Sequence, residues 1–192
     1  MKISIVIPTY NEKENLPKIV KDIFKVSKKN KLNLNIIVVD DNSPDKTWEI
    51  AKNLKKRYKL YVIRRKGKLG LGTAYTTGFK HALKTNSDII FSMDADFSHN
   101  PKYIPNFIKK LKNYDVVVGS RYTEGGNVIN WEWYRKIMSK YANLFAKLIL
   151  NINVNDLTTG YRCYKKNVLK SINLNKIKSN GYSFLEEILY IC

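Results

Sequence analysis

Residues 88–99 read Asp-Ile-Ile-Phe-Ser-Met-Asp-Ala-Asp-Phe-Ser-His, an apolar run followed directly by two carboxylates. The apolar part, residues 88–93, predicts a short buried strand. Asp94 and Asp96 leave that strand at positions i and i+2, so both side chains can reach the same side where the chain turns. Mg²⁺ and Mn²⁺ prefer oxygen ligands, and one or two carboxylates plus substrate phosphates usually suffice to bind them. The stretch therefore predicts a divalent-cation site beyond a buried strand.

Short apolar runs alternate with amphipathic segments through the first 120 residues. The pattern predicts strands at residues 2–7, 35–39, 60–63, 88–93 and 114–119, and helices at 11–24, 45–58, 73–83 and 104–111. Repeated βαβ units predict a parallel or mostly parallel sheet with helices on both faces. Asn15 is a candidate N-cap for the first helix, with Pro17 in its first turn. Beyond residue 120 we expect a long amphipathic helix at about 131–150, a short segment at about 161–164 and a helix from about residue 184.

Polar residues collect just after four of the predicted strands, at residues 8–12, 40–45, 94–99 and 119–122. Ligands of open α/β sheets bind beyond the carboxyl ends of the strands, so these groups are candidates for one binding site. Asp40 and Asp41 have an alternative role as turn and capping residues. Glu12 also has an alternative role, as a carboxylate in the first turn of a helix. Residues 67–72 carry three glycines, but we interpret them as a tight strand-to-helix turn, since they match no complete phosphate-binding fingerprint.

The composition of the 192-residue chain is that of one globular domain, with 44% hydrophobic residues and a formal net charge of +19. This charge suggests a polyanionic partner such as nucleic acid, an anionic membrane or a phosphorylated substrate. No nucleic-acid-binding motif is recognisable, so we expect no nucleic-acid partner. No apolar run approaches ~18 residues, the length of a transmembrane helix. Cys163 and Cys192 lie far apart without metal-ligand spacing, which favours a reducing, intracellular compartment.

Six stretches, taken together, resemble a known enzyme family. Residues 6–12 (Val-Ile-Pro-Thr-Tyr-Asn-Glu), 38–45 (Val-Val-Asp-Asp-Asn-Ser-Pro-Asp) and 94–99 resemble the family-2 glycosyltransferases of GT-A fold. Three more narrow the resemblance to the dolichol-phosphate (polyprenyl-phosphate) mannosyltransferases: 69–75 (Leu-Gly-Leu-Gly-Thr-Ala-Tyr), 119–122 (Gly-Ser-Arg-Tyr) and 156–162 (Asp-Leu-Thr-Thr-Gly-Tyr-Arg). The resemblance implies a single Rossmann-like nucleotide-diphospho-sugar transferase domain over residues 1–192. Residues 1–120 would form its nucleotide-sugar-binding half and residues 121–192 its acceptor-binding half.

The resemblance also implies a reaction, in which mannose passes from GDP-mannose to a polyprenyl (dolichyl) monophosphate with inversion at the anomeric carbon. The donor-binding residues that it implies are Pro8, Tyr10, Glu12, Val39, Asp41, Asp94, Ala95, Asp96 and Arg121. Mg²⁺ or Mn²⁺ would bind Asp94 and Asp96, and also Ser98, which stands where some relatives have a glutamine ligand. Arg135 and Ser139 fall where the family binds the acceptor phosphate. The residues implied to be catalytic are Asp96, Arg121 and Asp156.

The residues agree with this chemistry. A phosphate monoester is already an oxyanion and needs little general-base help, whereas departure of a nucleoside diphosphate needs a metal and cationic side chains to stabilise the developing charge. The sequence offers carboxylates and arginines and no obvious histidine base. Asp156 is open to two interpretations, as a base or as a residue that orients Arg121 or Arg135. The predicted helix at 131–150 is also open to two interpretations, as a membrane-interface helix or as a core helix packed on the sheet.

Two departures from the family pattern keep alternatives open. Leu185 replaces a glutamine of the family, and the chain ends at Cys192, before a strand and a basic loop that close over the donor diphosphate in family members. The chain could be completed by a partner, including a membrane-anchoring protein. The alternative functions are a family-2 transferase that uses UDP-glucose or another nucleotide sugar, and a non-catalytic nucleotide-sugar-binding subunit. With a lipid acceptor we expect a cytoplasmic protein, associated peripherally with the cytoplasmic face of a membrane.

Overall fold

Strand β1 (Lys2–Thr9) runs through the middle of a six-stranded sheet in the computed structural model, which describes residues 1–121 and 154–192. The other strands are β2 (Asn33–Asp40), β3 (Leu60–Arg64), β4 (Ile89–Ser92), β5 (Val116–Val118) and β6 (Arg162–Lys165). Their order is β3-β2-β1-β4-β6-β5. Strands β1 to β4 are mutually parallel, whereas β6 is antiparallel to both of its neighbours, β4 and β5. The sheet is therefore mixed but mostly parallel.

Helices cover both faces of this sheet. Their bounds are α1 (Leu16–Lys29), α2 (Thr47–Leu54), α3 (Leu71–Lys84), α4 (Ile104–Lys110, preceded by a 3₁₀ turn at Pro101–Tyr103), α5 (Lys166–Ser171) and α6 (Tyr182–Ile191). Helices α1, α2 and α4 contribute to one hydrophobic cluster, and α3, α5 and α6 contribute to the other. The predicted α/β class, with a mostly parallel central sheet and helices on both faces, is confirmed.

The alternation of side chains along β1 shows why both faces can be covered. Ile3, Ile5 and Ile7 join the cluster on the α1 side, and Val6 joins the cluster on the α3 side. All four side chains are fully buried. Successive side chains of a strand point to opposite faces, so a nearly continuous apolar run is the pattern of a strand buried on both sides.

The chain reverses its direction of strand addition at β1, and this reversal positions the site. From β1 the chain passes through α1 to β2 on one side, and from β3 it passes through α3 to β4 on the other side. Such a switch point leaves a crevice beyond the carboxyl ends of the two strands that flank it. The segments that leave β1 and β4 at this crevice are residues 10–15 and 93–100.

The first two helices begin later in the chain than predicted. The predicted first helix began at Asn11, but Asn11 has a left-handed φ of 61° and its N–H donates to Ser43 Oγ, so α1 begins at Leu16. Asn15 does not cap α1; its side-chain amide donates to Glu12 Oε2 at 2.8 Å. Helix α2 begins at Thr47, whose N–H donates to the carboxylate of Asp45.

Two further features of the sequence concern membranes. The predicted helix at 131–150 and the loop before it lie outside the described residues. Within residues 1–121 and 154–192, no helix combines the length and apolarity that crossing a bilayer demands.

Helix α3 packs closely on β1 at a single glycine, and this contact gives a stability prediction. A Cβ atom on Gly78 would collide with Cγ1 of Val6. Gly78→Ala is therefore expected to lower the free energy of unfolding by roughly 1–3 kcal/mol through overpacking, although the better helix propensity of alanine offsets about 1 kcal/mol of this. Urea unfolding followed by circular dichroism measures the change.

The matched control is Gly67→Ala. A Cβ atom on Gly67 would have no neighbour within 4 Å, and Gly67 does not have a left-handed φ. This variant should change the free energy of unfolding by no more than about 0.5 kcal/mol. Equal stability of the two variants would contradict a close helix–strand contact at Gly78.

Candidate functional site

A cleft of about 440 Å³ opens at the carboxyl ends of β1 and β4, at the switch point of the sheet. Residues from both the first and the second part of the chain line it: Pro8, Thr9, Tyr10, Glu12, Asp41, Lys68, Gly70, Leu71, Ala74, Asp94, Ala95, Asp96, Thr158, Gly160, Gly181 and Leu185. Four of these side chains are carboxylates, in a protein whose net charge is +19. The cleft therefore concentrates negative charge in a strongly basic molecule.

Asp40 and Asp41 are adjacent in sequence but differ in their surroundings. Asp40 is fully buried, and its carboxylate accepts hydrogen bonds from Thr9 Oγ1 at 2.9 Å and from the N–H and Oγ of Ser43 at 2.9 and 2.7 Å. These bonds close the turn after β2. Asp41 instead lines the cleft. Of the two roles that the sequence left open for this pair, the turn role falls to Asp40.

Arg65, the residue directly after β3, holds the carboxylate of Asp41. Its Nε donates to Asp41 Oδ1 at 2.5 Å, and its other nitrogens donate to Thr73 Oγ1 at 2.6 Å and to the carbonyl of Gly70 at 2.9 Å. The side chains of Arg65 and Asp41 are only 7% and 8% exposed. A planar guanidinium has five donors in a fixed fork, which allows one side chain to join three segments. Arg65 therefore connects the cleft carboxylate to the start of α3.

The loop between β3 and α3 forms one rim of the cleft. The N–H of Leu69 donates to Asp41 Oδ2 at 3.2 Å, so Asp41 and Arg65 together fix this loop. Lys68 places its ammonium 4.3 Å from the centre of the Tyr10 ring, in a cation–π contact across the cleft. Gly70 has a φ of 95°, which favours glycine, and it directly precedes α3. The predicted tight strand-to-helix turn at 67–72 agrees with this geometry.

Asp94 leaves β4 into the cleft and is bonded on several sides. Its Oδ1 accepts a hydrogen bond from the hydroxyl of Tyr75 at 2.5 Å. Its backbone N–H donates to Nδ1 of the buried His99 at 2.9 Å. Burial lowers the pKa of His99, against the opposing effect of the nearby carboxylates of Asp94 and Asp96. A neutral His99 that accepts at Nδ1 carries its proton on Nε2, so it has no lone pair left for a metal.

Asp96 is exposed and belongs to a tight turn. Its Oδ1 accepts hydrogen bonds from the N–H of Ser98 at 3.0 Å and from Ser98 Oγ at 2.6 Å. Phe97 between them has a left-handed φ of 64°, which is unusual for a bulky residue. Oδ2 of Asp96 accepts no hydrogen bond from any residue in the two described ranges. It is thus available to a ligand in the cleft.

Glu12 shows the effect of crowded carboxylates. Partial burial is the main cause that raises the pKa of Glu12, and Asp96, Asp45 and Asp94 raise it further through charge repulsion. The hydrogen bond from Asn15 acts in the opposite direction. Repulsion from Asp94 and Asp96 is therefore one of the causes that raise the pKa of Glu12, and a cation bound between these carboxylates would oppose it.

Arg121 and Asp156 form a bidentate ion pair at the side of the cleft. Nε and Nη2 of Arg121 donate to the two carboxylate oxygens of Asp156, each at 2.8 Å, and the N–H of Arg121 donates to Asp156 Oδ2. Asp156 is fully buried. Nη2 of Arg121 also donates at 2.6 Å to Thr158 Oγ1, and Thr158 lines the cleft. The pair therefore supports the cleft wall through Thr158.

The structure brings together most of the predicted site residues. The cleft is lined by Pro8, Tyr10, Glu12, Asp41, Asp94, Ala95 and Asp96. Val39 is fully buried in the cluster on the α3 side, away from the cleft lining, and Ser98 bonds to Asp96 without lining the cleft. Arg135 and Ser139 lie outside the described residues.

Sequence reasoning missed several lining residues, although most belong to motifs that it had singled out. Gly70, Leu71 and Ala74 lie in the stretch 69–75, and Thr158 and Gly160 lie in the stretch 156–162. Leu185, noted above as a departure from the family pattern, lines the cleft as well. Their presence in these motifs was the available signal. Lys68 lies in the stretch 67–72, which the sequence analysis interpreted only as a tight turn, and the fold brings both Lys68 and Gly181 to the cleft.

Comparison with known proteins identifies the family. The model of the family described as glycosyl transferase family 2 matches residues 4–172. The chain belongs to this family. The predicted resemblance to family-2 glycosyltransferases is thereby confirmed.

Two curated relatives of this glycosyltransferase are similar over nearly all of the chain. A dolichol-phosphate mannosyltransferase of Pyrococcus furiosus is 42% identical over 192 residues, which are 98% of this chain and 52% of that protein. A polyprenol monophosphomannose synthase of Mycolicibacterium smegmatis is 39% identical over 183 residues, which are 94% of this chain and 68% of that protein. The chain thus spans about half the length of the first relative and about two thirds of the second.

A solved structure shows the same fold at much lower identity. Glucosyl-3-phosphoglycerate synthase from Mycobacterium tuberculosis, crystallised with Mn²⁺, uridine diphosphate and phosphoglyceric acid, superposes with a TM-score of 0.69 at 20% identity. The match covers 98% of this chain and 62% of that one. The likeness supports the GT-A architecture of the glycosyltransferase.

The buried Arg65–Asp41 pair gives a second prediction. Arg65→Leu would leave the Asp41 carboxylate buried without its cation, and loss of one partner of a buried pair costs roughly 3–5 kcal/mol of unfolding free energy. Replacing both residues by leucine should destabilise less than Arg65→Leu alone, because no unpaired charge remains. Urea unfolding of the single and double variants measures both changes.

The neighbouring arginine provides a matched control. Arg64 is exposed, stacks 3.9 Å from the centre of the Trp48 ring and donates to Asn42. Arg64→Leu should therefore cost roughly 1 kcal/mol or less. If Arg64→Leu and Arg65→Leu destabilise equally, Arg65 does not hold the cleft in the way described.

Proposed function

We propose that this chain transfers mannose from GDP-mannose to a polyprenyl (dolichyl) monophosphate, with inversion at the anomeric carbon, and that the cleft binds the donor. The proposal rests mainly on one observation: a single cleft at the switch point of the sheet is lined by Tyr10, Glu12, Asp41, Asp94 and Asp96. The two curated relatives, by their names, make mannosyl-lipid phosphates of this kind. Because the chain spans only about half of the first relative, the activity of the 192-residue chain is part of the proposal.

The proposal includes Mg²⁺ or Mn²⁺, which would bind Asp94 and Asp96. The donor set fits such an ion, because Oδ2 of Asp96 points to no protein donor within the described residues and Oδ1 of Asp94 is already oriented by Tyr75. No cluster of three potential ligands among His, Cys, Asp and Glu occurs within residues 1–121 and 154–192. Two carboxylates completed by substrate phosphates are the usual arrangement for Mg²⁺. The structural neighbour from Mycobacterium tuberculosis was crystallised with Mn²⁺.

The bound cation would neutralise the charge that develops on the departing diphosphate. The residues of the chain supply binding and orientation. Asp41 and Tyr10 are proposed to contact the guanosine, together with Pro8 and Glu12. The backbone of Val39 is proposed to complete this set, since its side chain is buried away from the cleft. Ser98 is proposed to act mainly by orienting Asp96, because its hydroxyl donates to that carboxylate.

Asp156 is proposed as a positioning residue. Both of its oxygens accept hydrogen bonds from Arg121, so the carboxylate holds this side chain in place. The acceptor does not require a base, since a phosphate monoester is already an oxyanion near neutral pH. Arg121, held by Asp156, would then contribute positive charge near the diphosphate.

The acceptor side of the proposal remains a set of predictions. Arg135 and Ser139 are proposed to bind the lipid phosphate, and the segment 131–150 is proposed to lie on the membrane surface. Peripheral association with the cytoplasmic face of a membrane follows from a lipid acceptor. The division into a donor half at 1–120 and an acceptor half at 121–192 is likewise proposed, although Thr158, Gly160, Gly181 and Leu185 of the second half line the same cleft.

Donor choice is tested by thermal unfolding of the 192-residue chain with GDP-mannose, UDP-glucose or no ligand, each with Mn²⁺ or with a chelator. A ligand at about 100 times its Kd stabilises the folded state by about 2.7 kcal/mol. A shift with GDP-mannose that is lost on chelation is expected. A shift with UDP-glucose alone would move the function to a related transferase. Donor binding without mannosyl transfer to a polyprenyl phosphate would indicate a binding subunit.

The role of Asp96 gives a third prediction. Asp96→Ala is expected to abolish the Mn²⁺-dependent part of donor binding and to leave the unfolding temperature of the unliganded chain nearly unchanged, because Asp96 is exposed. Isothermal titration calorimetry with GDP-mannose, with and without Mn²⁺, measures this.

Asp115→Ala is the matched control for Asp96→Ala. Asp115 is also exposed, but it pairs with Lys165 next to the sheet and away from the cleft lining. This variant should bind GDP-mannose with the affinity of the wild type. Retention of Mn²⁺-dependent donor binding by Asp96→Ala would refute the proposed metal site.

A further inference from the structure

Tyr75 carries a hydroxyl group into a mainly hydrophobic cluster. It lies in the second turn of α3 and is fully buried in the cluster on that side of the sheet. A phenylalanine would fill the same space without a polar atom, and a buried hydroxyl without a partner is unfavourable. The Tyr75 hydroxyl donates a hydrogen bond to Oδ1 of Asp94 in the cleft, at 2.5 Å.

Aromatic packing fixes the place of this hydroxyl. The Tyr75 ring stacks against Phe184 of α6, with centroids 6.0 Å apart and an interplanar angle of 5°. It also stacks against Phe79, one helical turn further along α3, at 5.9 Å and 22°. Close-packed rings leave few alternative rotamers. The hydroxyl is thus a rigid donor aimed at one oxygen of Asp94.

The backbone at Gly160 lies close to both members of the pair. A Cβ atom on Gly160 would lie 3.0 Å from the Tyr75 hydroxyl oxygen and 3.2 Å from Asp94 Oδ2. Because Gly160 lacks a side chain, the segment 156–162 can approach Asp94 closely. Asp94 is confined by Tyr75, by Gly160 and, through its backbone N–H, by His99.

We propose that Tyr75 is a positioning residue that orients Asp94 so that Oδ2 of this carboxylate is presented to a divalent cation in the cleft. The inference rests on the proposed function, since the cation belongs to it. An ionised carboxylate only accepts hydrogen bonds, so the Tyr75 hydroxyl is the donor in its contact with Oδ1 of Asp94. Hydrogen bonds of this kind around a metal ligand reduce the reorganisation required on binding.

The test measures the affinity of the 192-residue chain for Mn²⁺ in the presence of saturating GDP, by calorimetry or by the electron paramagnetic resonance signal of free Mn²⁺. Tyr75→Phe removes one oxygen atom and keeps the ring stack. Loss of an outer-shell partner typically weakens metal binding 10- to 100-fold, and a loss in this range is expected. GDP binding measured in chelator should stay within about twofold of the wild type, because the hydroxyl does not touch the predicted nucleoside contacts.

Tyr58→Phe is the matched control. Tyr58 packs on the opposite face of the sheet, where it stacks on Phe24. This change should leave Mn²⁺ affinity unaltered. A purely structural role for the Tyr75 hydroxyl would instead lower the unfolding temperature of Tyr75→Phe with no change in Mn²⁺ affinity, and that result would overturn the inference.

Gly160→Ala is a second variant, which would place a methyl group next to Asp94. Its added methyl group would crowd the oxygen that is proposed to bind the metal, so Mn²⁺ affinity should fall here too. If the wild type itself binds no Mn²⁺ with GDP, the metal part of the proposed function fails, and the inference fails with it. If the wild type binds Mn²⁺ and both variants bind it equally well, only the inference is overturned.

Discussion

The close contact between Gly78 of α3 and Val6 of β1 determines where the cleft residues lie. Because no side chain separates the helix from the strand, α3 lies close enough to the sheet for Tyr75 to reach Asp94. The first turn of the same helix provides the hydroxyl of Thr73, which with the preceding Gly70 carbonyl anchors Arg65 and through it Asp41. One helix therefore orients two carboxylates of the cleft, each through a buried side chain.

The cleft that these contacts shape is lined by four carboxylates. Glu12, Asp41, Asp94 and Asp96 share one cleft, and the pKa of Glu12 is raised mainly by burial and further by Asp96, Asp45 and Asp94. Asp41 is paired with Arg65, whereas the carboxylates of Glu12, Asp94 and Asp96 repel one another without a cation between them. The contacts from Tyr75 and Arg65 hold Asp94 and Asp41 in place in the cleft. This explains how a protein of net charge +19 retains an acidic cleft.

Local sequence signals predicted the elements well where neighbours in the chain control the structure. The strand before Asp94, the tight turn at 67–72 and the alternation of strands and helices depend on short-range patterns of apolar residues and glycines. Helix starts were less accurate, since the left-handed φ of Asn11 and its bond to Ser43 depend on a segment more than 30 residues away. The antiparallel insertion of β6 between β4 and β5 is also non-local.

The sequence alone determined the family, the fold class and the acidic positions at the strand ends, because motifs and periodicity are properties of the chain itself. The tertiary structure decided the role of each polar group. It separated Asp40, which closes a turn, from Asp41, which lines the cleft. It paired Asp156 with Arg121 and aimed the Tyr75 hydroxyl at Asp94. These assignments depend on distances between residues that are remote in sequence, and only packing of the helices on the sheet sets those distances.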